Sequence, residues 1–334
     1  MKHITIIVPD GQGNMGTVAT IVGVVEIFTE ANSFWKRNGK ESRYTIQTAG
    51  ISKDVAFSKG MIVLQPERTI TEIKKTDLII VPPSSIREPA DVQSGNRSIA
   101  KWIEKQYKLG AEVASMCSGV FMLAYSGILD GKTCSSHWAH AAKFRSAFPD
   151  IDLKEEKLIT HESGIYTNGG AYSFLHLTLF LIEKYYDKQT AIYCAKMFQV
   201  DLDRHTQSSF AIFSGQKNHN DDVILKAQSY IEKNYHDKIS IEILSEKFNV
   251  GRRNFDRRFI KATGITPLDY LQRVKVEAAK KSLESTRKMV NEVMFDVGYN
   301  DTKAFREVFH RITGMSPVDY KAKYNREYLT RSFS

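Results

Sequence analysis

Two stretches hold residue types that could do chemistry. In SMCSGVFML, Cys117 stands where an apolar strand-like run gives way, through Ser118 and Gly119, to a helical pattern. A thiol at such a turn is expected to sit exposed at a helix N-terminus, where the helix dipole and free backbone N–H groups lower its pKa and stabilise an oxyanion. In GRRNFDRRFIK, Arg252, Arg253, Arg257, Arg258 and Lys261 stand against one acid, Asp256. With Phe255 and Phe259 on the apolar face, the other side presents cations and Asn254, a set suited to phosphates and base edges in a major groove.

The elements that must position Cys117 form an alternating series. HITIIV stops at ProAspGly, TVATIVGVVEIFTEAN has helical spacing, and RYTIQTA, MIVLQ, DLIIVP and AEVASMC read as strands, with an amphipathic segment from Ile99 to Tyr107 between the last two. This alternation predicts an α/β domain with a mainly parallel sheet flanked by helices, flavodoxin-like or amidotransferase-like. Ligands bind at the carboxyl ends of such strands, so Asp10–Gly13, Pro82–Ser84 and Cys117–Gly119 are expected to converge. The expected ligand pocket comprises Asp10, Gly11, Pro83, Ser84, Cys117, Ser118, Gly119, His137, Trp138, Gly169 and Gly170. For His137 a surface or packing role stands beside the pocket role. For Cys117 the alternatives are a pocket residue, an inert core residue and a nucleophile.

The basic stretch belongs to a fifty-residue repeat. FDRRFIKATGITPLDY and FREVFHRITGMSPVDY pair Phe255, Phe259, Thr263, Gly264, Pro267, Asp269 and Tyr270 with Phe305, Phe309, Thr313, Gly314, Pro317, Asp319 and Tyr320. Each copy follows a short helix and a tight turn, so the pattern predicts two helix-turn-helix units in an all-α domain. TPLDYLQRVKVEAAKKSLES predicts a linker helix of about 17 residues, roughly 26 Å long at ~1.5 Å per residue. The second reading helix offers Thr302, Lys303, Arg306, His310 and Arg311, with Glu307 among them, and is expected to contribute more weakly.

Two resemblances follow from these residues. CSGVFMLAYSGILDGKTCSSHW and TNGGAYSFLHLTLFLIEKYY resemble the nucleophile-elbow region and Gly-rich turn of PfpI-like, class I glutamine-amidotransferase-like domains, most of all those fused to DNA-binding domains in GlxA-like regulators. GYNDTKAFREVFHRITGMSPVDYK is similar to the AraC/XylS-type signature. The first resemblance implies a hydrolytic set that this chain lacks in part: Ser118 replaces a His, Thr20 and Ile21 stand where an acid belongs, and ProProSer replaces a Gly-rich loop. The second implies DNA binding, with Lys303 replacing a small polar residue and Gly251 a Ser.

The net charge of +9 over 334 residues is uneven, with +6 in residues 219–334 and +3 before them. Cys117, Cys134 and Cys194 are too scattered for a disulfide framework or a zinc site, and the N-terminus lacks a signal-peptide pattern. The expected organisation is an α/β sensor domain over 1–200, a linker over 201–219, a double helix-turn-helix domain over 220–326 and a tail over 327–334. The expected function is a cytoplasmic transcription regulator without catalytic residues, cofactor or metal, binding double-stranded DNA, a small-molecule effector and a second copy of itself, with RNA polymerase as a further partner and no membrane. The alternatives are a Cys-dependent amide hydrolase or hydratase fused to a DNA-binding domain, and an α/β domain that only dimerises.

Overall fold

The structure, a computed structural model, describes residues 2–92, 94–170 and 172–325. It forms two compact units, Met1–Gln207 and Ser208–Ser334.

The strands of the first unit are β1 (Lys2–Ile7), β2 (Tyr44–Gly50), β3 (Val55–Phe57), β4 (Ile62–Leu64), β5 (Arg68–Thr69), β6 (Leu78–Val81), β7 (Glu112–Met116), β8 (Thr133–Cys134), β9 (Asp152–Leu153), β10 (Ile159–Glu162) and β11 (Ile165–Asn168). Its helices are α1 (Met15–Arg37), α2 (Ser94–Lys108), α3 (Val120–Tyr125), α4 (Ala141–Ala147), α5 (Phe174–Tyr185) and α6 (Lys188–Met197). Seven strands make one sheet in the order β10-β11-β7-β6-β1-β2-β5, parallel throughout except where β10 meets β11. MIVLQ contributes β4, which pairs with β3 in a separate two-stranded hairpin.

Side chains alternate across a strand, so the sheet feeds two cores. Ile4, Ile6, Leu78, Ile80 and Met116 pack with α1, α5 and α6, whereas Ile7, Ile79, Val81 and Val113 pack with α2, α3 and α4. Helices on both faces are what an apolar parallel sheet requires. Helix α1 starts at a reciprocal cap: Thr17 N–H donates to the Asn14 side chain, and Asn14 N–H donates to Thr17 Oγ1. It buries Ile21, Val24, Phe28, Ala31 and Trp35, spaced three and four apart along one face.

The second unit contains α7 (Asp222–Asn234), α8 (Ile241–Lys247), α9 (Arg252–Thr263), α10 (Pro267–Ser285), α11 (Val290–Asp296), α12 (Thr302–Thr313) and α13 (Pro317–Tyr324). Phe255, Phe259 and Tyr270 share one core with Ile224, Ile231 and Leu244; Phe305, Phe309 and Tyr320 share the other with Leu283, Val293 and Met294. Helix α10 gives Leu271 to the first core and Val276, Ala279 and Leu283 to the second, so it ties both together. Its 19 residues make a rod of roughly 28 Å at ~1.5 Å per residue.

The repeated glycines, prolines and tyrosines have structural reasons. Gly264 and Gly314 end α9 and α12 at φ 76° and 73°, the left-handed backbone that glycine adopts without strain. Thr266 and Ser316 then cap α10 and α13, with Pro267 and Pro317 in their first turns. Tyr270 donates to Glu232 at 2.6 Å, and Tyr320 donates to Glu284 at 2.5 Å.

The stretch expected as a linker is divided between the units. Gln207 donates from its side chain to Ser136 O at 2.7 Å, and Thr206 bridges to Lys157 in the first unit. From Ser208 onward the chain packs on the second: Phe213 stands edge-on to Tyr270 at 5.1 Å, Lys280 Nζ donates to Ala211 O at 2.6 Å, and Gln228 Nε2 donates to Gln216 O at 2.9 Å. The segment SSFAIF, residues 208–213, therefore docks on the helical unit, because Phe210 and Phe213 meet the rings of Tyr324 and Tyr270 there. The expected tail over 327–334 lies outside the described residues.

Candidate functional site

The three loops expected to converge do so. Ser85 N–H donates to Gln12 O at 2.9 Å, and Thr17 Oγ1 donates to Pro83 O at 2.8 Å. Ser118 Oγ accepts from Ser84 N–H at 3.2 Å and donates to Ser84 O at 2.9 Å. Gly119 is required for contact: a Cβ there would stand 2.5 Å from Val81 O and 2.7 Å from Pro82 O. Asp10 turns away to the start of α2, where Ser52 Oγ donates to its carboxylate and its own N–H donates to Asn96.

Cys117 departs from expectation. It adopts φ 55°, sparsely populated for a non-glycine residue, and its N–H donates to Asn168 Oδ1 at 3.1 Å. It is 6% exposed. Burial pushes its thiol up from the ordinary value, and the Ser118 N–H and the Arg87 charge only partly offset this. The lowered pKa expected from an exposed helix terminus does not arise because the surrounding loops desolvate the thiolate.

Near it stands half-buried Arg87, whose charge acts on the thiol, and beside Arg87 lie half-buried His137 and His140. His137 Nδ1 accepts from Ala139 N–H at 3.1 Å, which caps a single 3₁₀ turn, Trp138–His140. His140 Nε2 lies 3.2 Å from Arg87 Nη2, and a guanidinium can only donate, so this imidazole carries its proton on Nδ1. Burial, followed by the nearby Arg87 charge, depresses both histidines, His140 to about 4. The cluster is one cation beside two neutral imidazoles. Trp138 tilts against His137 at 5.2 Å. Gly169 faces Gln207, while Gly170 takes φ 79° near Ser173; both shape the turn holding Asn168.

In the second unit, Arg253, Asn254, Arg257 and Lys261 are exposed on α9, and Arg257 Nη2 donates to Asn254 Oδ1 at 2.9 Å. Arg258 instead pairs with Asp221, the cap of α7, and Arg252 pairs with Asp256 and Glu242. On α12, Lys303, Arg306 and His310 are exposed, Thr302 is half-buried, and exposed Arg311 reaches back to Asp269 and Gln272 of α10.

The DJ-1/PfpI family model matches residues 17–184, half of the chain. The chain belongs to the DJ-1/PfpI family. A helix-turn-helix domain model matches residues 244–323 as well, which agrees with the AraC/XylS-type resemblance. The chain is 24% identical over 305 residues to the HTH-type transcriptional regulator GbdR of Pseudomonas aeruginosa, covering 91% of this chain and 80% of that one. It is 22% identical over 213 residues to the HTH-type transcriptional regulator GlxA of Rhizobium meliloti, covering 63% and 65%. A crystal structure from Vibrio parahaemolyticus, assigned as a transcriptional regulator, shares the fold at TM-score 0.51 and 21% identity over 59% of this chain and 98% of that one.

Sequence reasoning missed two residues of this DJ-1/PfpI unit, Arg87 and His140. Each left a signal: Arg87 is the one cation in VPPSSIREPA, on a loop leaving a buried strand, and His140 stands one helical turn after His137 in SSHWAH.

Proposed function

We propose that this DJ-1/PfpI protein is a sequence-specific DNA-binding transcription regulator whose α/β unit receives a small molecule and does no catalysis. The observation that carries the DNA-binding half is the exposed Arg253, Asn254, Arg257 and Lys261 face of α9, set opposite the Phe255 and Phe259 core contacts. Arg pairs bidentately with guanine and Asn with adenine in a major groove. The named relatives support the same reading. Helix α12 presents fewer free cations and serves mainly to position phosphates. A homodimer working with RNA polymerase in the cytoplasm completes the proposal.

The receiving role is supported by the half-buried cluster of Arg87, His137 and His140, in which the Arg87 charge lies close enough to Cys117 to act on its thiol. A hydrolase reading rests on the left-handed Cys117 turn alone, and the buried thiol, Ser118 and Thr20 weigh against it. The test is footprinting of the full chain on genomic fragments, comparing wild type with R253A/R257A. Protected sites that persist unchanged in the double variant at physiological salt would overturn the assignment of α9.

A further inference from the structure

Arg87 is the unusual charge of the first unit. Its Nη1 donates to Ser84 O at 2.6 Å and Ile86 O at 2.7 Å, and one Nη2 hydrogen goes to His140. Among the described residues nothing accepts from Nε or from the second Nη2 hydrogen, and no carboxylate lies within ion-pair distance. The nearby Asp91 carboxylate is turned to the Arg87 and Glu88 backbone N–H groups. Lys143 and Glu88 satisfy each other at 3.0 Å. The Phe121 ring, 5.5 Å from the guanidinium carbon, gives a favourable face without neutralising the charge.

The surroundings also hold unsatisfied polar atoms. Ser84 Oγ is buried without a hydrogen-bond partner, in a residue whose carbonyl Arg87 binds and whose backbone Ser118 engages on both sides. Ser136 Oγ, next to His137, is buried in the same state. Unpaired buried hydroxyls are uncommon and call for a partner. An unpaired, partly desolvated guanidinium is costlier still unless an anion completes it.

We propose that Arg87 anchors the effector and that the effector is a small monocarboxylate, held by the free edge of the guanidinium beside Cys117. The planar fork matches a carboxylate, and its single positive charge balances one negative charge rather than a phosphate dianion. His137 and His140, being neutral, add polarity without a second charge. This inference deepens the receiving role proposed above and rests on it.

The experiment is thermal unfolding of the full chain with sodium acetate, propionate and pyruvate, against acetamide and propionamide as uncharged matches and sodium chloride at equal ionic strength. The expected result is a rise in Tm with at least one acid and none with its amide. In R87Q the apparent affinity for that acid falls by ~10-fold or more, as loss of the charge-assisted fork on a half-buried guanidinium implies. Should R87Q not fold, phenylglyoxal modification of wild-type Arg87, read by peptide mass, replaces it; the active acid protects the residue and the amide does not. Equal responses to acid and amide, or an acid response unchanged in R87Q, overturn the carboxylate. No response to the acids, with a shift from an uncharged or cationic compound in deproteinised cell extract, overturns the carboxylate and leaves the receiving role standing. No response to the acids or to the extract overturns both.

Discussion

Arg258 closes a two-bonded ion pair on Asp221, with Nε 2.8 Å from one carboxylate oxygen and Nη2 2.6 Å from the other. The same aspartate caps α7 by accepting from Ile224 N–H at 3.2 Å. The Arg258 hydrogen bonds hold the Asp221 carboxyl below its ordinary value. One of five cations in a run that reads as a DNA footprint therefore braces α9 against α7.

D221A should destabilise the helical unit by about 1–2 kcal/mol, through loss of the cap and of the Arg258 partner. D221N keeps an N-cap acceptor and should recover part of this. Urea unfolding of the three proteins checks it; equal midpoints would mean that the pair contributes nothing.

Arg253 and Arg257 should behave in the opposite way. Both are exposed on α9, so R253A/R257A should change stability by no more than about 0.5 kcal/mol. DNA binding should weaken strongly. The slope of log affinity against log salt should shrink by about one for each lost phosphate contact. A large fall in Tm would show that these arginines brace the fold as Arg258 does.

Two glycines separate tight contact from open space. At Gly251, φ is −56° and a Cβ would meet nothing within 4 Å, so G251S should supply the missing side-chain cap and stabilise the unit by a few tenths to about 1 kcal/mol. At Gly119 a Cβ would press on two backbone oxygens of the neighbouring strand and loop. G119A should cost about 1–3 kcal/mol through overpacking. Thermal unfolding orders the two; a neutral G119A would contradict the close approach.

The contrast shows what the sequence made legible. Alternation of apolar runs announced the parallel sheet, and the loops at its carboxyl edge meet because the topology leaves them no other place. The repeat was equally clear, since Phe255, Gly264, Pro267 and Tyr270 do the same packing and turning in both copies. Periodicity assigns a face but not a partner. It could not show that Arg258 and Arg311 reach across to acids 37 and 42 residues away, that SSFAIF belongs to the helical unit, or that neighbouring loops bury Cys117. Arg87 was hidden for the same reason: an arginine lacking a carboxylate partner is defined by what surrounds it in space.

Cys117 should be a slow thiol. Burial raises it, so iodoacetamide at neutral pH should alkylate it no faster than a model peptide thiol. Cys134 and Cys194, both buried and pushed up to about 12, should be slower still. Mass spectrometry of timed, quenched samples decides this, and Cys117 reacting tenfold faster than the model thiol would revive the hydrolase reading.

His140 gives the first unit a pH dependence of definite sign. Its ordinary value is 6.5 and burial with the Arg87 charge holds it near 4 in the folded chain. Between these values the unfolded chain binds a proton that the folded chain excludes, so stability falls as pH drops from about 6.5 towards 4. His137 is depressed by the same causes and adds in the same direction. The carboxylates held low, Asp187 and Glu30 among them, lose stability only at more acidic pH, as their folded values are crossed. Because His140 is only half-buried, its share between pH 7 and 5 should be about 1 kcal/mol after solvent screening. H140Q, which removes the titration, should lose less stability than wild type over that interval when the unfolding transition of this unit is followed in urea. Identical pH slopes in the two proteins would mean that the imidazole titrates as freely in the folded chain as in the unfolded one.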